Sequence, residues 1–243
     1  MFEPTREVLF DNGVISVQPI SLERRPPGMG SPLRFAPDRT ALIVVDVQRH
    51  FTEALPFAAM RNIIPRVSRL LPYARATGMT VVHVKSEFKP DMRDAGRPGS
   101  RTRQMMDGLA WSGEAQNPLI HGSPLAEIVA ELAPFPSDVV VTKTRFSGFW
   151  GTNLHDALRE RAIQTLIFAG GTTTVCVEST LRDAVFLEYN ALVLSDCTAD
   201  MSLELHESAL ARIELFFGWV CRSDELITAL TIARDETATA PSM

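Results

Sequence analysis

Cysteine is scarce in this chain. Only three occur among 243 residues, at 176, 197 and 221, without paired spacing. Together with an N-terminus, Met-Phe-Glu-Pro-Thr-Arg-Glu, that has no apolar leader segment, they point to a reducing cytoplasm rather than secretion. Long hydrophobic runs are missing as well, and none approaches the ~20 residues of a membrane span. Neither sign of charge dominates. The 24 basic and 29 acidic side chains leave a net charge of −5 without long like-charge blocks, so there is no electrostatic footprint for nucleic acid or an anionic membrane. No internal repeat or low-complexity tract is present. What remains is a small-molecule partner.

A hydrophobic content of 45% over this length can bury a full core, and one α/β domain of this size is ordinary. Short β-rich runs occur at 41–45, 80–84, 139–141, 166–169, 191–194 and 219–220, and they read as six buried strands. Helical patterns fall at 64–76, 125–132, 153–161, 177–189 and 203–215, with a last one at 224–233. Near-continuous apolar strands alternating with helices predict a mostly parallel, Rossmann-like sheet covered on both faces. Pro72 is expected to kink or interrupt the first helix.

Two stretches break this alternation. Residues 1–37 include Arg24-Arg-Pro-Pro-Gly-Met-Gly-Ser-Pro32 and read as an arm, with one short strand near Val14–Val17, that wraps its own domain or a neighbouring subunit. Residues 87–115 carry Pro90, Gly96, Pro98 and Gly99 among four arginines, and predict a long irregular loop suited to covering a substrate.

In a doubly wound sheet, ligands bind beyond the carboxyl ends of the strands. Asp46 ends Ala-Leu-Ile-Val-Val-Asp, Lys143 ends Val-Val-Val-Thr-Lys, and Cys176 follows Leu-Ile-Phe-Ala-Gly-Gly-Thr-Thr-Thr-Val. A carboxylate to take a thiol proton, an ammonium to hold negative charge and a sulfur to attack a carbonyl form a sensible set. Cys176 stands where strand, small-residue turn and helix meet, so the helix end is expected to lower its pKa. Duller readings stay open: Asp46 as a turn cap, Lys143 as a solvated strand end, or the two as a structural ion pair. Cys197 and Cys221, with no glycine-rich turn before them, read as packing residues. A dehydrogenase reading is poor, because Asp-Val-Gln-Arg-His follows Val45 where a Gly-x-Gly-x-x-Gly motif is needed.

Ala41-Leu-Ile-Val-Val-Asp-Val-Gln48, Lys143 and Thr172-Thr-Thr-Val-Cys-Val-Glu-Ser-Thr180 resemble the isochorismatase-like cysteine hydrolases over roughly Pro37 to Arg222. Lys143-Thr-Arg-Phe-Ser-Gly-Phe-Trp150, Cys176-Val-Glu-Ser-Thr-Leu-Arg-Asp183 and Glu214-Leu-Phe-Phe-Gly-Trp-Val220 look most like the ureidoacrylate amidohydrolase branch. The resemblance implies a three-layer α/β/α fold, a Cys176-Asp46-Lys143 triad and hydrolysis of small amide or carbamoyl compounds through a thioester. It also implies a cis peptide near Gly171-Thr172. The backbone N–H groups of Thr172 and Cys176 would then serve as an oxyanion hole, in which one donor is typically worth ~3 kcal/mol of barrier. The expected organisation is an arm over 1–37, a hydrolase domain over 38–233 and a flexible tail over 234–243. Relatives commonly form dimers or tetramers, so a homo-oligomer is expected.

Phe51, Phe146, Phe149 and Trp150 are candidate pocket walls, Arg145 a candidate carboxylate reader, and Glu214 a candidate contact for a substrate nitrogen. No cofactor is called for. Nicotinamidase relatives hold zinc through an Asp-x-His pattern that is missing here, and the five histidines include no i, i+4 pair, so no metal site is expected. His50 and His83 read as satisfied structural residues. The substrate stays open among ureidoacrylate, biuret or triuret, N-carbamoyl amino acids, maleamate and simple carboxamides. A non-catalytic binding domain on the same fold is the remaining alternative. Vinyl-ether hydrolysis of isochorismate is disfavoured, because the isochorismatases proper do without the cysteine.

Overall fold

The computed structural model describes residues 7–19, 30–54, 58–108 and 117–239. Six strands form a wholly parallel sheet: β4 Thr40–Val45, β5 Thr80–Ser86, β6 Val139–Lys143, β7 Thr165–Gly171, β8 Asn190–Ala199 and β9 Trp219–Cys221. Their order is β6-β5-β4-β7-β8-β9, so the chain winds outward from β4 in one direction and then returns to build on its other side. Ligands collect at such a switch point. The six strands are those expected from sequence, but most of them run further toward their carboxyl ends. Ladder hydrogen bonds continue through Lys85-Ser86, Thr142-Lys143 and Gly170-Gly171 even though the apolar pattern has stopped.

Alternation along the strands divides the core in two. Leu42 and Val44 face α1 Ala58–Ala76 and α6 Ser223–Thr239, in a cluster with Val67, Leu70, Leu226 and Leu230. Ala41, Ile43 and Val45 face the other side, covered by α3 Leu154–Arg159, α4 Glu178–Phe186 and α5 Leu203–Arg212. This is a three-layer α/β/α architecture. Phe168 on the central β7 is fully buried, which contributes roughly 1.5–3 kcal/mol.

Several expectations need correction. α1 runs unbroken through Pro65 and Pro72, because seven buried side chains on that helix offset the ~3 kcal/mol cost of an interior proline. The helix expected over 125–132 is replaced by two 3-10 turns, Pro124–Ala126 and Ala130–Leu132. Backbone groups between them are taken by the segment after β4: Arg49 donates to the Glu127 carbonyl at 2.9 Å, and Val129 donates to that of Val47 at 3.2 Å. α5 stops at Arg212 and gives way to a π-helical turn, Ile213–Phe217. α6 continues to Thr239, beyond the expected boundary at 233.

The expected arm strand is β2 Val14–Val17, flanked by β1 Val8–Asp11 and β3 Leu33–Phe35 in a small antiparallel sheet. Ile15, Val17, Leu33 and Phe35 join the α1/α6 core, so these strands pack on their own domain. Residues 20–29, most of the Arg24–Pro32 stretch, lie outside the described residues. Within 87–115, an expected irregular loop, the chain forms α2 Arg101–Gly108, while 109–116 lie outside the described residues.

Gly170 has φ +110, and a Cβ there would collide with the Val45 carbonyl of the neighbouring strand. Replacing Gly170 with Ala is expected to destabilise the fold by about 3 kcal/mol or more, read by urea denaturation. An unchanged midpoint would contradict this packing.

Candidate active site

Three neighbouring strands deliver the polar residues of one buried cluster. In the β5–β6 register Ser86 lies beside Lys143, and Asp46 follows β4, the next strand over. Lys143 therefore reaches Asp46 across Ser86. Its Nζ lies 2.8 Å from Asp46 Oδ2 and donates to Ser86 Oγ at 2.8 Å, while Ser86 Oγ donates to Asp46 Oδ1 at 2.9 Å. Nζ also donates to the Arg145 carbonyl at 3.1 Å and lies 3.5 Å from Cys176 Sγ. Asp46 is held at φ 52, a left-handed conformation unusual for a residue other than glycine, asparagine or aspartate.

Cys176 comes from the far side of the switch point. The bond between Gly171 and Thr172 is cis, where the resemblance placed one. A π-helical turn, Thr173–Val177, then carries the thiol to the start of α4. Asp200 at the end of β8 fixes this turn: its Oδ2 accepts from Thr174 N at 2.6 Å and from Thr174 Oγ1 at 2.7 Å. On the opposite flank, Thr173 Oγ1 lies 2.8 Å from His206 Nδ1, and the ring's Nε2 lies 3.1 Å from the Ser195 carbonyl.

Electrostatics in the cluster depart from the sequence reading in one respect. Burial pushes the Cys176 thiol up to about 12, and the Asp46 charge adds to this while the Lys143 ammonium pulls against it. That direction is opposite to the lowering expected from the helix end. The π-helical turn sets Cys176 ahead of α4, and desolvation outweighs any pull from the helix end. Burial acts to lower the Lys143 pKa too, but the charges of Asp46 and Cys176 prevail and raise it, so the side chain stays an ammonium. Asp46 Oδ2, paired with the Lys143 ammonium, accepts no hydrogen bond of good geometry among the described residues. A half-buried thiol beside a carboxylate is arranged for proton transfer from sulfur to oxygen.

These groups form the floor of a cavity of about 320 Å³, which Thr172 also lines. Of the candidate pocket residues, Phe51, Arg145 and Phe146 line it. Phe149 instead stacks on Tyr189 with ring centroids 6.1 Å apart, and Trp150 is exposed beneath the Arg145 guanidinium, 4.7 Å from its centroid. Glu214 is elsewhere: it is buried in the turn before β9 and accepts from Val220 N at 2.9 Å. Neither His50 nor His83 lines the cavity. His83 lies 3.3 Å from Asp138 Oδ2, whereas both ring nitrogens of buried His50 lack a partner among the described residues, and burial lowers its pKa to about 4. Among the described residues, no group of three or more His, Cys, Asp or Glu could hold a metal ion.

Sequence reasoning missed Ser86 and its holder Gln48. Gln48 Nε2 donates to the Ser86 and Ala126 carbonyls at 2.8 and 2.6 Å, and its Oε1 accepts from Ser86 N at 2.8 Å. Ser86 ends a strand as Asp46 and Lys143 do, and extending β5 past Val84 by two residues would have found it.

A three-layer α/β/α sheet with a half-buried thiol beside a buried carboxylate and ammonium at its switch point defines a class of cysteine-centred site. The isochorismatase domain family model matches residues 40–225. Ureidoacrylate amidohydrolase RutB of Rhizobium rhizogenes is 34% identical over 231 residues, covering 89% of this chain and 92% of that protein. The protein of the same name from Cronobacter turicensis is 38% identical over 216 residues, covering 83% and 92%. A crystal structure of a cysteine hydrolase from Pseudomonas syringae is similar at a TM-score of 0.74 and 32% identity, covering 82% of this chain and 95% of that one. The chain belongs to the isochorismatase family.

Alkylation of Cys176 by iodoacetamide, followed by peptide mapping, checks its ionisation. With the pKa raised, the thiolate fraction grows as pH rises toward that value, so the labelling rate should climb about tenfold per unit between pH 7 and 10. A plateau near pH 8.5 would mean an ordinary thiol.

Proposed function

We propose that the protein is a cysteine-dependent amidohydrolase that cleaves a carbon–nitrogen bond of a small linear ureido, carbamoyl or amide compound, of the ureidoacrylate or biuret/triuret kind. It is a hydrolase acting on carbon–nitrogen bonds other than peptide bonds. The observation that carries this reading is the cluster of Asp46, Lys143 and Cys176 at the floor of one cavity. The names of the relatives, ureidoacrylate amidohydrolases over most of their length, support it.

The Cys176 proton passes to Asp46 as sulfur attacks the carbonyl carbon, and the carbonyl electron pair moves onto oxygen. Backbone N–H groups of Thr172 and Cys176 receive the oxyanion, and Lys143 balances the charge that builds between sulfur and carboxylate. Collapse of the tetrahedral adduct breaks the C–N bond, and Asp46 returns the proton to the leaving nitrogen. Ammonia or an amine departs, leaving a thioester on Cys176. Asp46 then takes a proton from water, whose oxygen attacks the thioester, and the proton returns to sulfur as the acid leaves. A carbamoyl group released this way ends as carbon dioxide and ammonia.

Ser86 belongs to this machinery as a positioning residue, because it holds Oδ1 of Asp46 and leaves Oδ2 to carry the proton. Arg145 is a cation lining the cavity, partly held by the Asp94 and Thr144 carbonyls. That feature keeps N-carbamoyl amino acids and maleamate-type amides as the second reading. The protein works in the cytoplasm as a homo-oligomer, dimer or tetramer; exposed Phe186, Leu203 and Phe216 support the assembly.

Ammonia release from a panel of ureido and amide compounds tests this. At least one compound should be turned over by wild type. Cys176→Ala should abolish the turnover, and Asp46→Asn should slow it by about 10²–10⁴-fold. Equal rates in wild type and Cys176→Ala would sink the mechanism.

A further inference from the structure

The cavity is two-sided in its chemistry. Its polar side chains belong to the sheet edge: Asp46, Ser86, Lys143 and Cys176 on the floor, with Thr144, Arg145 and Thr172 beside them. The rest of the lining is apolar among the described residues, and the wall formed by Phe51, Phe88, Met105, Met106, Leu119 and Phe146 is most of it. This wall is the inner surface of a packed satellite core. Phe88, Met106 and Leu119 are buried in one cluster with Ala95 and Ala126, and Phe51 and Phe146 rest against it. Backbone bonds hold it in place. Phe88 N donates to the Leu119 carbonyl at 2.9 Å, His121 N donates to that of Phe88 at 2.8 Å, and Asn117 Nδ2 ties the end of α2 through the Met106 carbonyl at 2.6 Å.

Arg145, the cation at the rim, is partly committed elsewhere. Its Nη1 donates to the Asp94 carbonyl at 2.7 Å and the Thr144 carbonyl at 2.6 Å, and its plane lies over Trp150. A substrate that fills the remaining space with N–H and C=O groups would set them against methyl, thioether and aromatic surface, leaving them unsatisfied. One that fills it with carbon would gain by burial.

Resting on the reading of Cys176 as the nucleophile, we propose that the substrate carries an apolar arm beyond its scissile amide or ureido head. The favoured class is an alkyl- or aryl-substituted urea or carboxamide. This narrows the proposed range of substrates, because its poly-ureido members, biuret and triuret, are disfavoured by the same wall. Met105 and Met106, two unbranched side chains from α2, shape themselves to the arm and set its preferred length.

Calorimetric binding to the Cys176→Ala protein isolates this from catalysis. Methylurea, propylurea, pentylurea and phenylurea would be titrated against biuret, which matches propylurea in size. Affinity should rise about threefold per added methylene, and propylurea should bind at least tenfold more tightly than biuret. Met105 is exposed on one side, so Met105→Gln, introduced alongside Cys176→Ala, should keep the fold while flattening the chain-length series. A flat series, biuret binding as well as propylurea, or no binding of pentylurea at millimolar concentration would each overturn the proposal. Turnover of the same compounds by wild type and Cys176→Ala reports separately on the nucleophile.

Discussion

The ion pair between Lys143 and Asp46 is the constraint from which the site follows. Both side chains are almost wholly removed from water, with Nζ and Oδ2 2.8 Å apart. Taking either charge out of water alone is costly, and removing one partner of a buried pair typically costs about 3–5 kcal/mol because the other is left stranded. Ser86 makes the arrangement tolerable by accepting from the ammonium and donating to the carboxylate at once. The strand order β6-β5-β4 makes the three residues neighbours, so the geometry of the sheet is also the geometry of the chemistry.

Against that pair, burial raises the pKa of the Cys176 thiol. In the proposed mechanism the thiol proton goes to Asp46 as the sulfur attacks, which would place the electrostatic gain in the transition state. The turn that presents the sulfur is fixed from both flanks, by Asp200 on Thr174 and by His206 on Thr173. Little reorganisation of the nucleophile is then left for the reacting complex.

Much of this was legible from residue order. Apolar runs marked the strands, and the polar residues ending them marked Asp46, Lys143 and Cys176, because a parallel sheet exposes its carboxyl edge to ligands. Ser86 escaped because strand pairing outlasts the hydrophobic pattern by two residues. The upward direction of the thiol's pKa shift escaped because desolvation depends on what packs around the sulfur, which one segment of sequence does not carry. Glu214, Phe149 and Trp150 were placed near the cavity by proximity to motifs. The turns that follow those motifs direct Glu214 and Phe149 into packing and Trp150 outward to solvent. The 3-10 turns at 124–132 were misread as a helix for a related reason: their backbone is claimed by Val47 and Arg49, residues far away in sequence.

Intact-protein mass spectrometry on quenched reactions tests most directly whether a thiol armed by the Asp46–Lys143 pair does the chemistry. With a substrate that the enzyme turns over, the expected result is a mass increase equal to the substrate's acyl or carbamoyl group. Peptide mapping should place it on Cys176, and in Asp46→Asn it should form about 10²–10⁴-fold more slowly. Turnover with no adduct on Cys176 under any quench condition, or equal adduct formation in Asp46→Asn, would contradict the proposed role of the pair.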